Sequence, residues 1–143
     1  MKNRLMMLFL ACVAWLLPCA ARADLVVVVS ADSGIAKLSR EEVINIFMGR
    51  YRRLPGGATA MPLDIGGDTP EREAFYRRLV GKSLPEINAY WARLVFSGRT
   101  IPPEELASQR EVLARVARDP VAIGYVDRAS LNGKVKVVYE LPQ

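Results

Sequence analysis

Beyond residue 23 the chain alternates short apolar runs with stretches where apolar residues recur every three or four positions. Leu25 to Val29 is a continuous apolar run rich in β-branched residues. That is the pattern of a strand buried on both faces, as in parallel sheets. Ser39-Arg40-Glu41-Glu42 follows as a capping box, in which Ser39 accepts from the N3 amide and Glu42 reaches back. Val43, Ile46 and Phe47 continue at helical spacing and Gly49 supplies the stop, which predicts a helix over about 40–48. Pro55-Gly56-Gly57 marks a loop, and Met61 to Ile65 reads as a second strand, with Pro62 suited to its start. Pro70 to Val80 is helical, with Ala74, Phe75 and Leu79 on one face and Gly81 as its end.

Ser83 and Glu86 form a second capping box. The helix they open carries Ile87, Trp91, Leu94 and Val95 as an apolar stripe, and Gly98 ends it. Tyr90, Trp91 and Phe96 stand at core spacing and are read as packing. After a proline-containing connector, Ser108 and Glu111 form a third box before Val112, Leu113, Val116 and Ala117, and Asp119-Pro120 terminates that helix. Ala122 to Val126 reads as a strand. Asn132-Gly133 turns the chain into a last strand over 135–139, expected near a sheet edge. The order β-α-β-α-α-α-β-β predicts an α/β fold with a mostly parallel four-stranded sheet flanked by helices.

The first 23 residues stand apart from this pattern. Lys2 and Arg4 precede an apolar run from Leu5 to Leu17, Pro18 breaks it, and Ala21-Arg22-Ala23 is a small-x-small cleavage site. This is the layout of a secretory signal peptide, and the run is short for a membrane span. Pro18 sits where a lipoprotein site at Cys19 would need a small residue. The expected domains are thus a signal peptide over 1–23 and one small domain over 24–143.

Removing the leader changes the chemistry that remains. Both cysteines, Cys12 and Cys19, leave with it, and the chain has no histidine. Ser-His-Asp triads, Cys-His pairs and His- or Cys-based zinc sites are excluded together. Three of the 20 basic residues and none of the 15 acids lie in the leader, leaving 17 against 15. That near-balance argues against a nucleic-acid partner. No paired carboxylates at glycosidase spacing are apparent, and Asp64, Asp68 and Glu71 are too few for an oxygen-ligand metal site. Lys37 with Ser39 and Lys82 with Ser83 are Ser-Lys pairs near in sequence, and adjacent positions do not share a helix face. No enzyme activity, metal or cofactor is expected.

The stretch "IGGDTPEREAF", Ile65 to Phe75, carries the candidate binding chemistry. Gly66 and Gly67 let a ligand approach the backbone, Thr69 is a good N-cap and Pro70 a good first helical residue. Amides at 71 and 72 would face an anion, with the helix dipole behind them. Arg72 has a guanidinium able to fork onto an oxyanion. Plain helix capping explains the same residues, and Asp68 and Glu71 would repel a phosphate there. Arg50, Arg52 and Arg53 follow a helix C-terminus, either as a solvated loop or as a contact for lipid headgroups or an acidic partner.

Three segments, "LSREEVINIFMGRYRRLPGG", "MPLDIGGDTPEREAFYRRLVG" and "DPVAIGYV", resemble the substrate-binding protein of the phosphate ABC transporter. The resemblance covers Leu25 to about Val126. It implies the type 2 periplasmic binding fold, here as a single lobe with the first lobe missing. It also implies that the family's Ser-Gly-Thr-Arg phosphate turn falls on Gly67, Asp68, Thr69 and Arg72.

The candidate ligand residues are therefore Gly66, Gly67, Asp68, Thr69 and Arg72. The expected function is that of a periplasmic domain weakly binding phosphate or a similar oxyanion. A permease, a sensor or a second copy would complete the half-shell; neither nucleic acid nor stable membrane insertion is expected. The alternative, from a different class, is an interaction or sensory module that kept the lobe and lost the ligand.

Overall fold

The computed structural model describes residues 23–143. The expected leader lies outside the described residues except for Ala23. Among the described residues no helix is long and apolar enough to cross a membrane.

The elements in chain order are β1 (Leu25–Ser30), α1 (Arg40–Phe47), β2 (Met61–Ile65), α2 (Pro70–Val80), α3 (Leu84–Phe96), β3 (Glu104–Leu106), α4 (Gln109–Arg118), β4 (Ala122–Asp127) and β5 (Val135–Glu140); a single 3₁₀ turn, Arg128–Ser130, leads from β4 toward β5. The strands form one sheet in the order β3-β2-β4-β1-β5. The α/β reading holds, with two corrections. The sheet has five strands, because the short β3 pairs with β2. It is also mixed: β2 runs parallel to β3 and β4, whereas β1 runs antiparallel to both β4 and β5.

Each correction has a physical cause. β3 is Glu-Glu-Leu with both glutamates exposed, so no apolar run announces it. β1 is buried along its whole length. Burial on both faces says that a strand is covered; it does not say which way its neighbours run. β5 is an edge strand, as its alternation suggested.

The helix starts follow from their caps. Ser39 Oγ accepts from the Glu42 amide at 3.2 Å, and Glu42 accepts from the Ser39 amide at 2.7 Å. At α4 the box is displaced by one residue: Ser108 Oγ accepts from the Glu111 amide, but Glu111 takes the amide of Ala107. At Gly81 a left-handed φ of 70° closes α2.

Packing centres on an aromatic stack. The rings of Phe75 (α2) and Tyr125 (β4) are parallel with centroids 3.8 Å apart, and Phe47 (α1) meets Phe75 edge-on at 4.8 Å. On α3, Ile87 and Trp91 are buried as expected, but Val95 and Phe96 are exposed. Phe96 is therefore not core packing: the last turn of α3 is left uncovered. The buried core draws on residues from Leu25 to Leu141.

α4 sits directly on β4 at Gly124. A Cβ there would run into Cγ1 of Val112. Overpacking of this kind costs roughly 1–3 kcal/mol. Gly124→Ala is expected to destabilise by that amount in urea unfolding, and Val112→Ala in the same chain is expected to recover part of the loss.

Candidate functional site

β2 delivers Asp64 and Ile65 to the carboxyl edge of the sheet, and the chain then turns through Gly66 and Gly67 into α2. Gly67 has a φ of 77° with open space where a Cβ would go, so the turn uses a conformation that L side chains rarely adopt. Thr69 is the N-cap of α2, and its hydroxyl accepts from the Arg72 amide at 3.3 Å.

Arg72 points inward and is buried. Its Nε donates to Asp64 Oδ2 at 3.0 Å. Nη1 donates to the Gly67 carbonyl and to Asn88 Oδ1, both at 3.4 Å, and Nη2 lies 3.5 Å from Glu105 Oε1. The charge also stands 5.8 Å from the centre of the Tyr76 ring. Asp64 is equally enclosed. Oδ2 accepts a second bond from the Tyr76 hydroxyl at 2.9 Å, while Oδ1 accepts from the Tyr125 hydroxyl and the Ile65 amide. Every lone-pair direction of the carboxylate thus has a donor.

Burial by itself would lower the Arg72 pKa, but the Asp64 charge and hydrogen bond outweigh it and raise it, keeping the guanidinium charged. Both phenols are pushed up, first by burial and then by the neighbouring Asp64 carboxylate.

The proposed ligand residues are placed as follows. The Gly66 amide donates to the Leu106 carbonyl at 2.9 Å. The Arg72 amide is taken by the Thr69 hydroxyl, and the Arg72 guanidinium by Asp64, Gly67, Asn88 and Glu105. Gly67 and Asp68 are exposed on the turn. Among the described residues, no acceptor engages the amides of Gly67, Asp68, Thr69 or Glu71.

Thr69 and Glu71 border an open cleft of about 320 Å³ together with Ile65, Ala107, Ser108, Gln109 and Arg110. Wider hollows exist on other faces, but this one lies between two helix N-termini, those of α2 and α4. The Gln109 and Arg110 amides at the start of α4 likewise meet no acceptor among the described residues. Arg110 is exposed at the cleft wall. Two helix starts, two cap hydroxyls and one arginine therefore border one cleft, opposed by the partly buried Glu71 and by Glu111, whose carboxylate takes the amide of cleft-lining Ala107.

Reading along the chain missed the α4 contribution. Ser108 was visible as a cap; only the parallel placement of β3 beside β2 brings it opposite Thr69. The same reading missed Glu105, whose strand carries no apolar pattern, and the tyrosine hydroxyls that enclose Asp64.

This fold is that of phosphate-transport substrate-binding proteins. A phosphate transport receptor of ABC type from Vibrio cholerae superposes with a TM-score of 0.64 at 16% identity, over 81% of this chain and 45% of that one. A structure from Clostridium perfringens, described as a phosphate ABC transporter substrate-binding protein with bound phosphate, gives 0.65 at 16% identity, over 81% and 44%. The chain thus spans under half the length of these proteins, which is consistent with a single lobe. No protein-family model and no curated protein matches the sequence.

The enclosed network makes a pH prediction. In the unfolded chain Tyr76 and Tyr125 ionise near 10, whereas in the fold both stay protonated to higher pH. Their stabilising contribution is complete below about pH 10 and declines above it, at up to ~1.4 kcal/mol per pH unit for each phenol. Chemical denaturation between neutral pH and pH ~11 is expected to show this decline. Tyr125→Phe should be less stable at neutral pH, with a shallower alkaline slope.

Proposed function

We infer that the chain is a non-enzymatic, secreted binding domain that takes phosphate or a similar oxyanion weakly, in the cleft between the N-termini of α2 and α4. The reading is carried by the convergence of two helix starts with open amides on one cleft. The fold it shares with phosphate-transport proteins supports it, one of them described with phosphate bound.

Within the turn first singled out, the ligand contacts proposed are the amides of Gly67, Asp68 and Thr69 and the Thr69 hydroxyl. Gly66 and Arg72 support the turn from behind. Arg110, Ser108 and Gln109 are added from α4. Arg110 supplies the charge that Arg72, paired with Asp64, does not offer.

A half-shell open to water holds an anion poorly. Helix starts and one exposed arginine together contribute on the order of 1–3 kcal/mol, which corresponds to millimolar or weaker binding. A permease, a sensor or a second copy of the chain would exclude water from the open side and strengthen capture. The leader over 1–23 supports action in the periplasm.

Calorimetry with inorganic phosphate and with sulfate tests the reading. Saturable heat in the millimolar range is expected, with a parallel rise in melting temperature. Arg110→Ala should weaken the response. Thr69→Ala should weaken it too, while costing about 1 kcal/mol of stability through the lost cap. Absence of both heat and thermal shift in the wild-type chain would overturn the reading.

A further inference from the structure

At the end of β2 opposite the cleft, two segments distant in sequence come together. The Tyr90 hydroxyl donates to the Met48 carbonyl at 2.7 Å, the Trp91 ring and Thr100 lie against Gly49, and Arg52 Nη2 donates to the Ile101 carbonyl. The loop after α1 is thereby joined to the end of α3 and the loop beyond it. Arg52, Ile101 and Pro102 also share a hollow with Met61 and Pro62 at the start of β2.

These segments hold all four exposed large hydrophobic residues of the described chain: Tyr51 at 60%, Val95 at 53%, Phe96 at 95% and Ile101 at 71% exposure. They also hold Arg50, Arg52, Arg53, Arg93 and Arg99, and no acid lies between Val43 and Leu63 or between Ile87 and Pro103. None of the five arginines is in an ion pair among the described residues. Arg52 keeps its Nε buried without a hydrogen-bond partner among the described residues. Four acids flank these stretches and all are engaged: Glu42 and Glu86 accept from the Ser39 and Ser83 amides at 2.7 and 2.8 Å, Asp64 pairs with Arg72 at 3.0 Å and Glu104 with Arg115 at 3.4 Å.

We propose that this end of the molecule docks on an anionic phospholipid surface, with Phe96, Ile101 and Tyr51 entering the headgroup boundary and the arginines on lipid phosphates. Apolar side chains protruding singly among cations are the composition of an interfacial anchor. Every cation here is arginine, which meets phosphate as a fork. On this geometry the bilayer takes one end of β2 and leaves the cleft at the other end facing away. The contact is peripheral and needs no spanning helix.

The test is flotation of residues 24–143, which hold every buried core residue from Leu25 to Leu141, with vesicles of phosphatidylglycerol mixed into phosphatidylcholine and with vesicles of phosphatidylcholine alone. Binding is expected only to the anionic vesicles and should fall as salt rises. Replacing Arg50, Arg53 and Arg99 by Gln should lower partitioning roughly a hundredfold, at about fivefold per arginine. Phe96→Ser with Ile101→Ser should lower it about tenfold or more. All these side chains except that of Arg52, which is left unchanged, are exposed, so circular dichroism melts of the variants should match the parent. No binding, equal binding to both vesicle types, or binding that neither set of variants changes would overturn the proposal. So would capture of a protein partner through this end by a chain that ignores vesicles.

Discussion

The ion pair between Asp64 and Arg72 is the constraint on which the cleft depends. Its partners come from every element around the turn: Asp64 from β2, Arg72 from α2, Tyr125 from β4, Glu105 from β3 and Asn88 from α3. A buried pair of this kind adds little net stability over a well-packed apolar substitute, because both charges are desolvated. Its worth lies in geometry. With each oxygen and most N–H groups engaged, the direction in which α2 leaves the turn is set, and its first residues share a cleft with the start of α4. The same engagement occupies the Arg72 guanidinium, and the proposed anion contacts are therefore backbone groups and Arg110.

How much of this was legible along the chain follows from the range of the forces involved. Caps and glycine stops act within four residues, and Ser39, Thr69, Ser83 and Ser108 do begin the helices they announced. The apolar periods found β1, β2, β4 and β5 because burial leaves its mark on each strand separately. Strand direction leaves no such mark, so β1 was read as a strand of the parallel type, whereas it runs antiparallel to both neighbours. β3 is held by pairing with β2 and by nothing in its own Glu-Glu-Leu. Phe96 has the spacing of a core residue, yet the helix outruns what it packs against.

Arg72 illustrates the limit most clearly. In sequence it is a cation in the first turn of a capped helix beside two glycines, a pattern equally suited to holding an anion and to being held by one. Asp64, eight residues earlier, appeared as an isolated acid because its four donors arrive from residues up to 61 positions away. The choice between the two readings is tertiary. Among the described residues, two ends of β2 emerge with different chemistry: one with open amides at helix starts, the other with arginines in no ion pair around exposed apolar side chains. Neither end is a deep pocket, which suits a chain that spans under half the length of the binding proteins whose fold it shares.

The central claim is that the backbone at two helix starts, and not the Arg72 guanidinium, receives an oxyanion. Proton–nitrogen correlation spectra of the isotope-labelled chain during titration with inorganic phosphate address it directly. Saturable shifts should gather on the amides of residues 67–69, 71, 109 and 110, while the Nε–H signal of Arg72 stays where Asp64 holds it. A spectrum in which Arg72 Nε–H moves with phosphate while those amides remain still would contradict the account.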